Sequence, residues 1–446
     1  MINHYSGNRT KDCQHMKVRS LAFALAVVFG AAACSDQPAQ DQQEVKPTWT
    51  TELPSDLGQP YEAVSQGEHV LLSTANGTAV LSAHDGALLW SLAADEVPIQ
   101  HLASWYLYDS SVVAVGADGY MGWDIASGDE LFKFDDHVLN WSAFDAGLIT
   151  VECPTQVCTI ASLDPTSGDR LWRRDVDDGR FYLVPEGSLQ AYHEDPVGLP
   201  STGTQVALWS ERNDIETQGE ILDVESGDIS IVLANQDVES EQAFFSSQDR
   251  FTEWNEMPDG SIKLTTYDTL TGEIAWTTTV TSVTGRWGDT SLIGTDIDGV
   301  KTLISAETGD VVVDATEETY LSVDDDLKYL TIFKDSKVDL QAQSTDTSDT
   351  IWSATIEEGH DVDPITFRWS AVSDANLVYH YGVAASSEAP AALKTLVADH
   401  DTGGKVWLAG ELITPLSLQG NALLTSCPDT SCTVTNQRSI AYFDLG

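Results

Sequence analysis

Positive charge is scarce in this sequence: 22 lysines and arginines stand against 70 aspartates and glutamates in 446 residues, a formal charge of −48. A surface that negative repels phosphate backbones and anionic lipid head groups, which excludes nucleic acid as a partner. It favours solubility and tolerance of high salt. Long apolar runs are missing after residue 34, where no stretch approaches the ~20 residues that span a bilayer as a helix. The same region has no amphipathic helical periodicity. It also has no G-x-S-x-G elbow, no H-E-x-x-H pair and no phosphate-cradling glycine loop. No catalytic residue can be assigned, and enzymatic activity is not expected. A hydrophobic content of 42% still supplies a core and excludes wholesale disorder.

The apolar run that does exist lies at the start. From Met16 the chain reads MKVRSLAFALAVVFGAAAC, with Lys17 and Arg19 before an apolar stretch from Leu21 to Phe29. Ala31, Ala32 and Ala33 then lead to Cys34. Basic residues, a short apolar segment and small residues in that order describe a secretory signal, too short for a membrane span. Residues 1–33 are therefore expected to be removed, with Met16 a candidate initiator. Losing Arg9, Lys11, Lys17 and Arg19 against Asp12 takes the formal charge from −48 to −51. Cysteine directly after the small residues resembles the lipobox of bacterial lipoproteins, with Ala31 where Leu is usual. The resemblance implies diacylglyceryl transfer to the Cys34 thiol. Residues 34–47 are polar and rich in Gln and Asp, as suits a flexible tether. Two acyl chains, at about 0.8 kcal/mol per buried methylene, hold a protein stably at a membrane.

Cysteine is scarce too, and its six copies sort by position. Cys13 falls in the discarded segment and Cys34 is the lipid site. Cys153-Pro-Thr-Gln-Val-Cys158 and Cys427-Pro-Asp-Thr-Ser-Cys432 repeat one spacing, each after an apolar run and before β-branched residues. That pattern predicts two hairpins whose cysteines face each other, close enough for a disulfide in each. Zinc needs four ligands, and neither pair has C-x2-C spacing. Two hairpin disulfides are expected, in keeping with an exported chain.

A ten-residue motif recurs along the rest: an apolar strand ending in Asp or Ser, Gly four residues on, and a bulky residue four beyond. LDPTSGDRLW carries Asp164, Gly168 and Trp172; YDTLTGEIAW carries Asp268, Gly272 and Trp276. ADHDTGGKVW gives Asp399, Gly403 and Trp407, and WDIASGDELF gives Asp124, Gly128 and Phe132. LDVESGDISI has Asp223, Gly227 and Ile231, and SAHDGALLW has Ser82, Gly86 and Trp90. Looser copies end at Val313 and at Trp352. Gly supplies a positive φ in the turn, Asp or Ser bonds the amides across it, and the bulky residue packs against a neighbouring unit. Two more short alternating runs precede each motif. Four short strands per ~40 residues make one blade of a propeller.

The motif resembles the repeat of the pyrroloquinoline-quinone (PQQ)-type β-propellers over residues 48–446. An all-β, single-domain propeller follows. Eight blades are expected on the family norm; a literal count, eight full motifs plus one split, gives nine. The chain ends in AYFDLG without an outer strand, and Thr48 to Leu53 looks like one, so Trp49 is predicted to complete the last blade. Dehydrogenases of this repeat family hold PQQ beside an adjacent-cysteine disulfide and calcium. This sequence has no Cys-Cys pair and no clear calcium set, so neither cofactor is expected. Asp175 to Gly179, Asp296 to Gly299 and Asp324 to Asp326 lack the twelve-residue calcium spacing and read as turns. His360 to Asp363 and His400-Asp401 read as loop residues. The expectation is a monomeric, non-enzymatic scaffold, lipid-anchored outside the cytoplasm. It would bind a protein or glycan partner, as do the propeller lipoproteins of the outer-membrane β-barrel assembly machinery. The alternative is a small-ligand site in the axial funnel, including a degenerate PQQ-type one.

Overall fold

Alternating β-branched and aromatic runs, cut every few residues by glycine turns, have one stable outcome, the antiparallel meander. The computed structural model describes residues 44–45, 47–97, 104–135, 137–153, 158–176, 180–185, 197–212, 216–232, 242–247, 249–286, 292–297, 300–315, 319–323, 327–334, 337–344, 349–358, 366–372, 376–383, 392–408, 414–419, 422–426 and 439–445. All of them belong to one unit, residues 42–446. Among the described residues every element is a strand, and no helix is long and apolar enough to cross a membrane.

The strands form nine sheets among the described residues. Sheet 1 comprises Pro60–Gln66, His69–Thr74, Gly77–Ser82 and Leu88–Ala93. Sheet 2 comprises Ser104–Leu107, Ser111–Gly116, Gly119–Asp124 and Glu130–Phe134. Sheet 3 runs from Val138–Phe144 through Gly147–Glu152 and Cys158–Leu163 to Arg170–Val176. Sheet 4 contains Arg180–Pro185, Gln205–Arg212, Glu216–Asp223 and Ile229–Val232. In sheet 5 the strands are Gln242–Ser247, Arg250–Glu256, Ile262–Asp268 and Ile274–Val280. Sheets 6 and 7 begin at Ser282–Arg286 and Thr319–Val323 and end at Val311–Ala315 and Thr350–Glu358. Sheet 8 begins at Thr366–Val372 and ends at Lys405–Leu408.

Sheet 9 is split. It takes Thr414–Gln419, Ala422–Ser426 and Ser439–Asp444 from the end of the chain and Trp49–Glu52 from its beginning. Trp49 pairs with Tyr442 and Thr50 with Ala441, and the two rings stack with centroids 5.4 Å apart. First strands lie side by side between sheets 1 and 2, 3 and 4, 4 and 5, 7 and 8, 8 and 9, and 9 and 1, so they line the axis and the contact of sheet 9 with sheet 1 joins the two ends of the succession. This is a β-propeller. The described residues form nine sheets, the number given by the literal motif count, against the eight expected from the family norm. The interval from Trp172 to Ile231 exceeds the ~40 residues of one blade because an insertion separates the first two strands of sheet 4.

Each sheet is covered on both faces by its neighbours, so the core is a series of seams. Trp49, Leu72, Leu81, Leu424 and Ile440 fill the closing seam between sheets 9 and 1. In sheets 1 to 7 the fourth strand shifts register immediately before the motif's bulky residue. The extra residue of such a bulge turns outward and re-aims its successor. That accounts for the exposure of Leu89, Leu131, Leu171 and Ile351, each of which precedes a ring packed into a seam. Glu44 and Val45, in the segment read as tether, pair in parallel with Trp407 and Leu408 on the fourth strand of sheet 8.

Candidate functional site

The motif turns are built alike. In the turns of Asp124, Asp164, Asp223, Asp268 and Asp399, the Asp carbonyl accepts from the Gly amide four residues on, at 2.8–2.9 Å. The side-chain Oδ1 of each accepts backbone and hydroxyl donors two or three residues ahead, as from Ser127 to Asp124 and from Thr402 to Asp399. These bonds hold the Asp124, Asp164 and Asp399 carboxyls below the usual carboxylate range. The leading cause is the Ser127 amide for Asp124, the Thr166 hydroxyl for Asp164 and the Thr402 hydroxyl for Asp399.

Each turn also receives a side chain from the preceding sheet. The indole N–H of Trp90 donates to the Ile125 carbonyl at 2.7 Å, and that of Trp172 to Val224 at 2.8 Å. Trp276 reaches Ala306 at 2.7 Å, and Trp352 reaches His400 at 2.8 Å. Trp49 reaches Ala83 of sheet 1 at 2.8 Å, so the residue that completes sheet 9 also fastens it to the next sheet. The acceptor is always the carbonyl just after the motif Asp or Ser. The ring then covers the motif glycine: a Cβ at Gly128 would stand 2.7 Å from Trp90 Cγ, and one at Gly403 would stand 2.6 Å from Trp352 Cδ2. Phe132 plays the covering part against Gly168, and Ile231 against Gly272, without an N–H to donate. Trp407 sits opposite Leu396 on the fourth strand of sheet 8.

Charged pairs reinforce some seams. Arg174 of sheet 3 meets Glu220 of sheet 4 at 3.2 Å. Arg250 bridges Asp268 in its own sheet and Glu307 in the turn of sheet 6, at 2.9 and 3.1 Å. In sheet 5, Glu253 is fully buried and accepts from the Tyr267 hydroxyl at 2.9 Å. Burial pushes its carboxyl up to about 7, against the opposing pull of that hydroxyl and of Lys263.

The cysteines predicted to pair at the hairpin of sheet 3 do so: Cys153 and Cys158 form a disulfide. Cys427, Cys432 and Cys34 lie outside the described residues. Asp175 is engaged by Arg173 and Thr159, and His400 contacts Asp401 at 2.9 Å. Asp324 to Asp326 and His360 to Asp363 lie outside the described residues. No group of three His, Cys, Asp or Glu that could hold a metal occurs among the described residues.

One feature at the axis had no signature in the sequence. The insertion of sheet 4 returns as Val197–Gly198, which adds in parallel to the first strand of sheet 2 opposite Trp105 and Tyr106. The Val197 amide donates to Glu62 of sheet 1. Ser201 bridges Phe144 in the first strand of sheet 3, donating to Ala143 and accepting from Asp145. Residues 197–201 thus cross the axial edges of three sheets, with Val197 buried among side chains of sheets 1 and 2.

No protein-family model matches the chain, and no curated protein matches it. Solved structures similar to it include BamB from Moraxella catarrhalis, at 13% identity over 90% of this chain and 99% of that one, TM-score 0.40. A eukaryotic initiation factor is similar at 11% identity over 78% of this chain and 90% of that one, TM-score 0.48. A europium-containing methanol dehydrogenase is similar at 11% identity over 86% and 84%, TM-score 0.36. At such scores the fold rests on the sheet order and the repeating seam contacts themselves.

Proposed function

We propose that the protein is an extracytoplasmic lipoprotein, anchored through Cys34, whose propeller is a non-enzymatic scaffold for a protein partner in the cell envelope. The observation that carries this reading is the axial segment. Residues 197–201 lie across the first strands of sheets 1, 2 and 3, where an axial ligand would otherwise reach those strands. That favours recognition through exposed turns and loops, the surfaces that a rigid ring presents to a partner. The secretory pattern before Cys34 and the Cys153–Cys158 disulfide support an oxidising compartment.

Crosslinking and affinity capture of the tethered protein from its native membrane tests the reading. One stoichiometric partner, together with release of a Cys34→Ala variant into the soluble fraction, is the expected result. Failure to recover a partner, combined with a thermal shift on adding PQQ and calcium, would replace it with the axial ligand reading.

A further inference from the structure

The seam between sheets 4 and 5 departs from those locked by tryptophan. Ile231 stands at the bulky position of sheet 4 and covers Gly272, so the motif position supplies no indole N–H to sheet 5. Sheet 4 brings Ala207 and Ile221 to this cluster, and Gly219 shares their face by strand alternation. These are small or aliphatic residues. Against them sheet 5 buries polar ones: Glu253 is 0%, Thr265 1% and Asn255 2% exposed.

Alternation puts Glu253 and Asn255 on one face of their strand, and Thr265 is the direct cross-strand partner of Glu253. Directly opposed side chains start about 5 Å apart at Cβ, and the diagonal neighbour starts about 7–8 Å away. Three side chains of this length can therefore meet at one point. Glu253 Oε2, Asn255 Oδ1 and Thr265 Oγ1 are all buried without a hydrogen-bond partner, whereas Glu253 Oε1 is taken by Tyr267. Unpartnered buried oxygens are rare in folded proteins. Here three share one face of two adjacent strands, and all three can donate a lone pair.

We infer that this seam binds a hard monovalent cation, sodium, through Glu253 Oε2, Asn255 Oδ1 and Thr265 Oγ1. Carboxylate, amide carbonyl and hydroxyl oxygens are hard donors, suited to such ions and not to thiolate-seeking metals. One carboxylate balances one positive charge, while a divalent ion would bring uncompensated charge into a dry seam. Lys263 shares the face opposite Asn255, partly exposed, and makes no ion pair with Glu253 among the described residues. Glu220 of sheet 4 points the other way, to Arg174. No other described side chain of sheet 4 brings charge to this face.

The full-length protein, unfolded thermally at mildly alkaline pH in sodium, potassium or choline chloride of equal ionic strength, tests the inference. Sodium should raise the midpoint over choline, saturably, by about 2 °C at ten times its half-saturating concentration. Glu253→Gln keeps the side-chain shape and should abolish that sodium-specific rise. Thr265→Val removes one donor and should raise the half-saturating concentration several-fold. Equal midpoints in sodium and choline, or a sodium-specific rise that survives Glu253→Gln, would overturn the site. A rise as large in potassium as in sodium would overturn the assignment of the ion.

Discussion

Alanine at Gly128, tested with and without Trp90, probes the seam contact that recurs around the ring. Gly128 has φ of 74°, and an added Cβ would stand 2.7 Å from Trp90 Cγ and 3.0 Å from its Cβ. The left-handed backbone alone costs an L-residue about 1–2 kcal/mol. Pushing a buried indole out of the way adds about 1–3 kcal/mol. Gly128→Ala should therefore cost about 2–5 kcal/mol in the parent protein. Gly260, with φ of 80° and no atom within 4 Å of its Cβ position, carries only the first cost, about 1–2 kcal/mol, and serves as the control. Trp90→Ala removes the obstructing atoms, at about 3–5 kcal/mol of its own. In that background Gly128→Ala should cost no more than Gly260→Ala. Guanidinium denaturation followed by tryptophan fluorescence and by circular dichroism gives the four stabilities of the cycle. Equal costs for Gly128→Ala in both backgrounds would show that the indole and the glycine do not share a seam.

Three further outcomes follow from the same geometry. Deleting residues 48–53 removes the fourth strand of sheet 9 and the Trp49 bond to Ala83, and should lower the unfolding midpoint of the whole ring, read by calorimetry. Reducing Cys153–Cys158, or replacing both by Ser, opens a loop of six residues and should cost about 2 kcal/mol in the chain-entropy model, read as a modest midpoint loss. Asp124, Asp164 and Asp399 have carboxyls held below their ordinary range when folded, so their contribution is present above the unfolded pKa. It should fade as pH falls through the lowered folded values, and Asp→Asn variants should show a shallower acid limb in stability-against-pH titrations.

The repeat was legible because its chemistry is local. Asp, Gly and the bulky residue lie within nine positions, and each has a role that a turn alone enforces. Trp49 was legible as the missing strand because its segment matches the other fourth strands while the chain ends one strand short. The target of each indole N–H was not, since the acceptor is a backbone carbonyl in the next sheet and carries no side-chain signature. The bulge before Trp90 or Trp172 likewise leaves no more trace than an exposed leucine. The axial strand Val197–Gly198 joins by parallel pairing with Trp105 and Tyr106, far away in sequence and too short to show a period. Glu253 and Asn255 alternate with Thr252 and Trp254, a pattern that in a sheet with one wet face marks the solvent side. In a propeller both faces of a sheet are buried, so polar alternation there marks a polar seam rather than a surface.

Ring closure is tested most directly by a Thr50→Cys, Ala441→Cys pair. These positions are cross-strand partners in sheet 9 although they stand near opposite ends of the chain. Oxidation of the purified protein should give an intramolecular crosslink, identified by peptide mass spectrometry, and a higher unfolding midpoint that returns to the parent value on reduction. Absence of that crosslink, or crosslinking only between molecules, would contradict a propeller closed by its own N-terminal strand.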